Sequence, residues 1–362
     1  MTEADLGTGP SKARPPVDLS LNIALAALLI LVIGVAGYFG YSVYRDRQNE
    51  FNSSATGRLV AVLDQAVRKS PNDAAIRIRL GEALGAMGRN QEAIEQFNAA
   101  LKIDPKHTGA LLDLGMVAML TNNNNAAEGY FKKVISLTDG NQYSALDKIR
   151  EQAFYNLGTL ALADKQYAEA AGYLKGALVI TGDASDTYYQ LAKAYQGLGD
   201  IDSAIRQVEI ALQFDPGFAE AHYYAGQLYK LNHDDVNAAY HFKKAADLAP
   251  GADQPQQALE QYGTADSWVA KARTAQSAGQ LALAVKYVQV ARVLDPNSFD
   301  AAKLDAALLI QQGDLAGALP VSVAAGKLNP TDAAMQAQIK SLERQVEAVK
   351  PAKKRVAKAK AK

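Results

Sequence analysis

The stretch AAIRIRLGEALGAMGRNQEAIEQFNAALKIDP, residues 74–105, decides the fold. Ile76, Leu80 and Leu84 recur at helical spacing, and so do Ala93, Phe97 and Ala100. Gly88-Arg89-Asn90 separates the two sets. Glycine ends the first helix because it enters the left-handed conformation without steric cost. Pro105 closes the second, since proline disfavours helix at the residue before it. The spacing therefore predicts a helix–turn–helix hairpin whose apolar face cannot be buried by the hairpin alone.

The same marks return along the chain. X-Pro steps fall at Pro71, Pro105, Pro216, Pro250, Pro296 and Pro330. An alanine recurs at 93, 127, 170, 204, 238, 284 and 318, and a small residue at Gly81, Gly115, Gly158, Ala192, Gly226, Ala272 and Ala306. Both series step by 34, 43, 34, 34, 46 and 34. One period of 34 thus carries insertions of 9 and 12 residues, near Asp139–Leu146 and Gly251–Tyr262. Both insertions read as extending or decorating the first helix that follows, as contact sites or as spacers. The small residues let paired backbones approach, and Phe97, Phe131 and Phe242 read as filling the gap toward the next unit.

This pattern resembles the tetratricopeptide repeat, a 34-residue helix–turn–helix with small, aromatic and proline marks. The resemblance covers about Ala74 to Pro330, roughly seven copies. It implies an all-α, TPR-type α-solenoid over 74–330, in which neighbours bury each other's apolar faces. Only the sixth copy has the signature tryptophan, Trp268, and the seventh carries Ser322 where an apolar residue is usual. Pro320 is expected near the first turn of that copy's second helix, which makes the seventh copy the least stable. Leu59-Leu63-Ala66-Pro71 matches a leading half-repeat within residues 45–73. Thr331 to Val349 reads as a capping helix with Thr331 or Asp332 at its start.

The flanks are of a different kind. Residues 1–18 form a polar leader, and 19–44 are 26 residues without charge. About 20 apolar residues span the hydrocarbon layer, so 19–44 predicts a transmembrane helix and a lipid bilayer as partner. Tyr38, Phe39, Tyr41 and Tyr44, then Arg45 and Arg47, suit a headgroup-level aromatic belt. A cleaved signal peptide is the alternative, but its apolar core would be shorter. The polar leader favours a single-pass signal-anchor with the solenoid outside the cytoplasm. At the other end, 350–362 hold Lys350, Lys353, Lys354, Arg355, Lys358, Lys360 and Lys362 and no acid. This basic tail reads as disordered, either as a solvated tail or as a site for an anionic polymer. The 38 basic and 38 acidic groups of the whole chain leave residues 1–349 at net −7, unlike a general nucleic-acid binder.

The chemistry-bearing motifs are missing. The 362 residues contain no cysteine, which excludes disulfides, thiol nucleophiles and cysteine metal sites. His107, His222, His233 and His241 form no H-E-x-x-H, and no phosphate-binding glycine loop occurs. His222 reads as packed rather than ligating. No catalytic residue, metal, cofactor or small-molecule substrate is expected, and the chain reads as a non-enzyme.

In the family that the repeats resemble, first helices line the concave face. By that resemblance, Leu112, Met116, Met119, Tyr155 and Leu162 are candidate partner-binding residues, followed by Tyr189, Lys193, Gln196, Tyr223, Gln227 and Lys230. Some of them are alternatively interhelix core, and of each pair Tyr188/Tyr189 and Tyr223/Tyr224 one side chain is expected inward and one outward. The carboxylate clamp of chaperone-tail binders does not fit, because its places hold Ile78, Glu82, Leu112 and Met116. The expected function is a membrane-anchored protein-interaction scaffold or assembly factor that binds another polypeptide, either a peptide or a helix. The alternatives are a membrane-tethered holdase chaperone, or an organiser whose tail engages an anionic polymer such as nucleic acid.

Overall fold

A computed structural model describes residues 54–140 and 147–360, with 32, 38 and 42 in isolation; from 349 onward only the backbone is described. Apart from 32, 38 and 42, the expected transmembrane segment 19–44 lies outside the described residues, and so does part of the nine-residue insertion. Among the described residues no helix is long and apolar enough to cross a membrane. The chain divides into two compact units, residues 1–117 and 118–362.

The first unit holds α1 (Ala55–Lys69), α2 (Ala74–Ala86), α3 (Asn90–Ile103) and most of α4 (Thr108–Leu120). Ser54 caps α1 by accepting from Gly57 N at 2.9 Å, and Asp73 caps α2 by accepting from Ile76 N at 3.1 Å. Such caps satisfy donors that the first turn leaves unpaired. The hairpin α2–α3 turns at Gly88, whose φ is +72°. Phe97 lies directly over Gly81 of its own hairpin. The sequence assigned that ring to the gap toward the next unit; instead it fills the hollow that a missing side chain leaves inside the hairpin.

The second unit continues with α5 (Asn124–Thr138), α6 (Lys148–Ala163), α7 (Tyr167–Ile180), α8 (Ser185–Gly197), α9 (Ile201–Phe214), α10 (Ala219–Leu231) and α11 (Asp235–Leu248). Then come α12 (Asp253–Tyr262), α13 (Ala265–Ser277), α14 (Leu281–Leu294), α15 (Phe299–Gln311), α16 (Leu315–Leu328) and α17 (Ala333–Lys360). From α5 to α11 each helix packs on the next, and apolar clusters such as Ala192, Val208, Leu212, Tyr224 and Leu228 join one hairpin to its neighbour. Arg150, at the start of α6, donates to the carbonyl of Ile135 at 3.0 Å and to Thr138 Oγ1 at 3.1 Å, fastening α6 to α5.

Three expectations are corrected here. The 12-residue insertion does not extend α13. It forms α12, a helix of its own that packs on α11 and is cut from α13 by Gly263 at φ +100°. Pro320 is the sixth residue of α16, one turn deeper than the sequence suggested, so one internal helix bond loses its donor. The last helix does not stop at Val349 but runs through the basic segment to Lys360. Alanine and lysine are strong helix formers, which favours that continuation. Asp332 is the cap of α17, accepting from Met335 N at 2.9 Å. The buried Ser322 accepts from Gln338 of the same helix at 3.2 Å, so the odd polar residue of the seventh copy serves the contact with its cap.

Candidate polypeptide-binding surface

Three first helices bring one repeat position into line. Tyr155 of α6, Tyr189 of α8 and Tyr223 of α10 are 34 residues apart and all half-buried. Burial pushes the phenols of Tyr155 and Tyr189 above their ordinary range. Tyr189 meets Phe218 at 5.1 Å and stands edge-on to Tyr224 at 5.4 Å, a geometry that the aromatic quadrupole favours. Tyr224, the inward member of its pair, donates its hydroxyl to Gln196 Oε1 at 2.8 Å. Tyr188 is also half-buried and stacks on Phe214 at 5.8 Å, so that pair does not divide into one inward and one outward ring.

One turn on, Lys193 holds its ammonium 4.2 Å from the centroid of the Tyr189 ring. Burial lowers its pKa, because a half-desolvated cation loses hydration. Two clefts open around these helices. One, of about 600 Å³, is lined by Leu162, Tyr167, Gln190, Lys193 and Gln196. The other, of about 750 Å³, is lined by Gln196, Tyr223, Gln227, Lys230, His233, Phe242, Ala258 and Gln261. Gln196 belongs to both. The described walls hold two lysines and four glutamines and no carboxylate. Cations, amide donors and rings arranged this way can grip an extended chain by its backbone and by acidic side chains.

The structure thus brings together Leu162, Lys193, Gln196, Tyr223, Gln227 and Lys230. Tyr189 supports the clefts from beneath without lining them, and Tyr155 lines neither. Met119 is half-buried and outside both clefts, and Met116 is exposed in the first unit. Leu112 is corrected: it is 5% exposed, because α4 buries Ala110, Leu111, Leu112, Leu114 and Val117 over most of its circumference. The side chains of Lys350 to Lys362 lie outside the described residues.

Several wall residues were missed by sequence reasoning. Ala258 and Gln261 come from α12, so the insertion supplies one side of the larger cleft. Its end is fastened by Tyr262, whose hydroxyl donates to Asp235 Oδ1 at 2.7 Å, while Trp268 Nε1 donates to the Tyr262 carbonyl at 2.9 Å. His233 sits in the α10–α11 turn at φ +56°, a left-handed conformation unusual for a residue with a side chain. Among the described residues no group of three or more His, Asp or Glu is placed to hold a metal ion.

Comparison with known proteins agrees with this architecture. Two tetratricopeptide-repeat models match, one over residues 86–147 and 161–228, the other over 60–108. The chain is 26% identical over 171 residues to the DnaJ homolog subfamily C member 7 homolog of Schizosaccharomyces pombe, covering 44% of this chain and 35% of that one. It is 21% identical over 175 residues to the tetratricopeptide repeat and J domain-containing co-chaperone DNJ1 of Fusarium oxysporum, covering 48% of this chain and 33% of that one. The chain therefore spans about a third of the length of these curated relatives. Among solved structures it is similar to YrrB, described as a TPR protein with an unusual peptide-binding site. That match has 23% identity, covers 55% of this chain and 97% of the other, and has a TM-score of 0.46.

Proposed function

We propose that this tetratricopeptide-repeat protein is an interaction scaffold that holds an extended, acidic polypeptide segment against α6, α8 and α10. The observation that carries the reading is the pair of clefts sharing Gln196, with Lys193 and Lys230 in walls that contain no carboxylate. The partner runs across the first helices, its acidic side chains meet the two lysines, and its backbone amides meet the glutamines. Residues 19–44 tether the scaffold to a bilayer through their uncharged run of 26 residues. The likeness of part of the chain to a J-domain co-chaperone favours a second reading, a tethered holdase for unfolded clients.

Peptide binding by the full chain in detergent separates the two. Acidic extended peptides bind and basic ones do not; Lys193→Glu and Lys230→Glu each weaken binding by roughly tenfold, the cost of one well-placed charge pair. Equal binding of acidic and basic peptides, or affinity untouched by either substitution, overturns the scaffold reading. Protection of unrelated unfolded proteins that survives both substitutions supports the holdase. Release of the full chain from vesicles by alkaline carbonate overturns the tether.

A further inference from the structure

Beside Tyr223 in the sequence, His222 enters the buried contact among α9, α10 and α11. It is 6% exposed, and its neighbour His241 is 4% exposed. His222 Nδ1 lies 3.0 Å from His241 Nδ1. The far nitrogen of each ring is also engaged. His222 Nε2 lies 3.2 Å from the Pro216 carbonyl, and His241 Nε2 lies 3.0 Å from Glu209 Oε1. That carboxylate oxygen also accepts from the Tyr229 hydroxyl at 3.0 Å. Tyr229 stacks on His241 at 5.3 Å, and Tyr240 stands edge-on to both imidazoles.

The partners fix where the protons are. A carbonyl oxygen can only accept, so His222 Nε2 carries a hydrogen. Glu209 is held ionised, its pKa lowered chiefly by the hydrogen bond from His241, so His241 Nε2 also carries one. If both rings were neutral, each Nδ1 would be a bare lone pair facing the other at 3.0 Å. If both were cationic, two N–H groups would collide head-on. One proton between the two nitrogens makes a hydrogen bond and leaves nothing unpaired.

We infer that His222 and His241 share a single proton between their Nδ1 atoms and so form a buried monocation, neutralised by Glu209, that makes the joint of α9, α10 and α11 proton-dependent. Every charged or titratable group facing the pair agrees with this. Glu209 on α9 attracts the first proton, while Lys244 on α11 repels a second. Burial holds the Tyr229 phenol of α10 well above its ordinary range, Tyr240 of α11 meets the pair through its ring, and Asp234 acts on Tyr229 and Tyr262. Burial opposes the second charge as well, and holds the pKa of His222 below the ordinary 6.5.

The two protons act in opposite directions, and the pair titrates as a unit. Losing the shared proton sets two bare lone pairs against each other at 3.0 Å, so the contact it makes is lost as pH rises through the pair's upper pKa. The second is bound less tightly than in the unfolded chain, so stability is present above about 6.5 and is lost as pH falls through the lower one. The joint is firmest between the two. Because His222 precedes Tyr223, loosening here unsettles a wall of the larger cleft.

The test is nitrogen-15 NMR on the full chain in detergent with only histidine labelled; the chain has four. At pH 7 a coupling between two imidazole nitrogens across one N–H···N bond is expected, and it disappears on strong acidification or alkalinisation. Glu209→Gln moves loss of the shared proton down by about one pH unit or more. A pair with both Nδ1 atoms bare, or both protonated, at pH 7 overturns the inference, as does the absence of that coupling in the unsubstituted chain. The last readout needs no variant to fold.

Discussion

Gly226 and Phe242, one on each helix of the same hairpin, are complementary in size: a Cβ on Gly226 would fall 2.7 Å from Cδ1 of the Phe242 ring. Gly81 with Phe97 and Gly158 with Leu174 repeat the arrangement at the same separation of 16 residues. Where the small residue is alanine, the residue 16 positions on is smaller: Val208 after Ala192, Val288 after Ala272 and Ser322 after Ala306, all fully buried. The hairpin core tolerates either glycine with a large side chain or alanine with a smaller one, because interiors are packed to near-crystal density.

Gly226→Ala alone is therefore expected to destabilise the chain by about 1–3 kcal/mol, the usual cost of overpacking. Adding Phe242→Val should restore part of that loss, since it recreates the Ala192–Val208 combination. Urea midpoints of the two single variants and the double variant form the cycle that measures it. Strict additivity would show that the two positions are independent.

The buried Asp305 is paired with Arg292 across α14 and α15, while its Oδ1 has no described hydrogen-bond partner. Burial raises its pKa, and Arg292 opposes that rise. Arg292→Ala leaves a carboxylate uncompensated and is expected to cost about 3–5 kcal/mol at pH 7. A raised acid stabilises the fold most below its unfolded pKa of 3.8, and this is lost as pH rises through the folded value. The variant's deficit should shrink as pH falls toward 4, because burial holds this carboxyl above its ordinary value and its neutral form does not need the arginine. Thermal unfolding at pH 4 and pH 7 checks this, and an equal deficit at both would contradict it.

The α6–α7 turn places Lys165 at φ +59°, where four other hairpins use Gly88, Gly199, Gly279 and Gly313. The left-handed conformation costs a non-glycine residue roughly 1 kcal/mol, so Lys165→Gly should stabilise by about that amount. Asn122, at φ +57°, should gain less, since asparagine tolerates this region. Denaturant midpoints for the two substitutions should rank in that order.

The hairpins were legible because two separate marks shared one period, and the cleft residues because they occupy fixed repeat positions. The alignment of Tyr155, Tyr189 and Tyr223 follows directly from the 34-residue step. Leu112 misled because it shares that position, yet sits on a helix apolar nearly all round. Helix α12 was hidden because Pro255, in its first turn, and Gly263, at its end, punctuate a segment too short to show periodicity of its own. The His222–His241 contact was not readable at all: it joins two helices through ring nitrogens, and no repeat position announces it.

Helix α12 has one more consequence. Between α11 and α14 the second helices touch directly, while α12 packs on α11 and faces the larger cleft through Ala258 and Gln261. The element that shapes this opening is therefore not one of the load-sharing hairpins. The jaw of the aperture is thus added to the seven-fold repetition rather than drawn from it, and the buried Tyr262, set between Phe242 and Trp268, holds it to the frame.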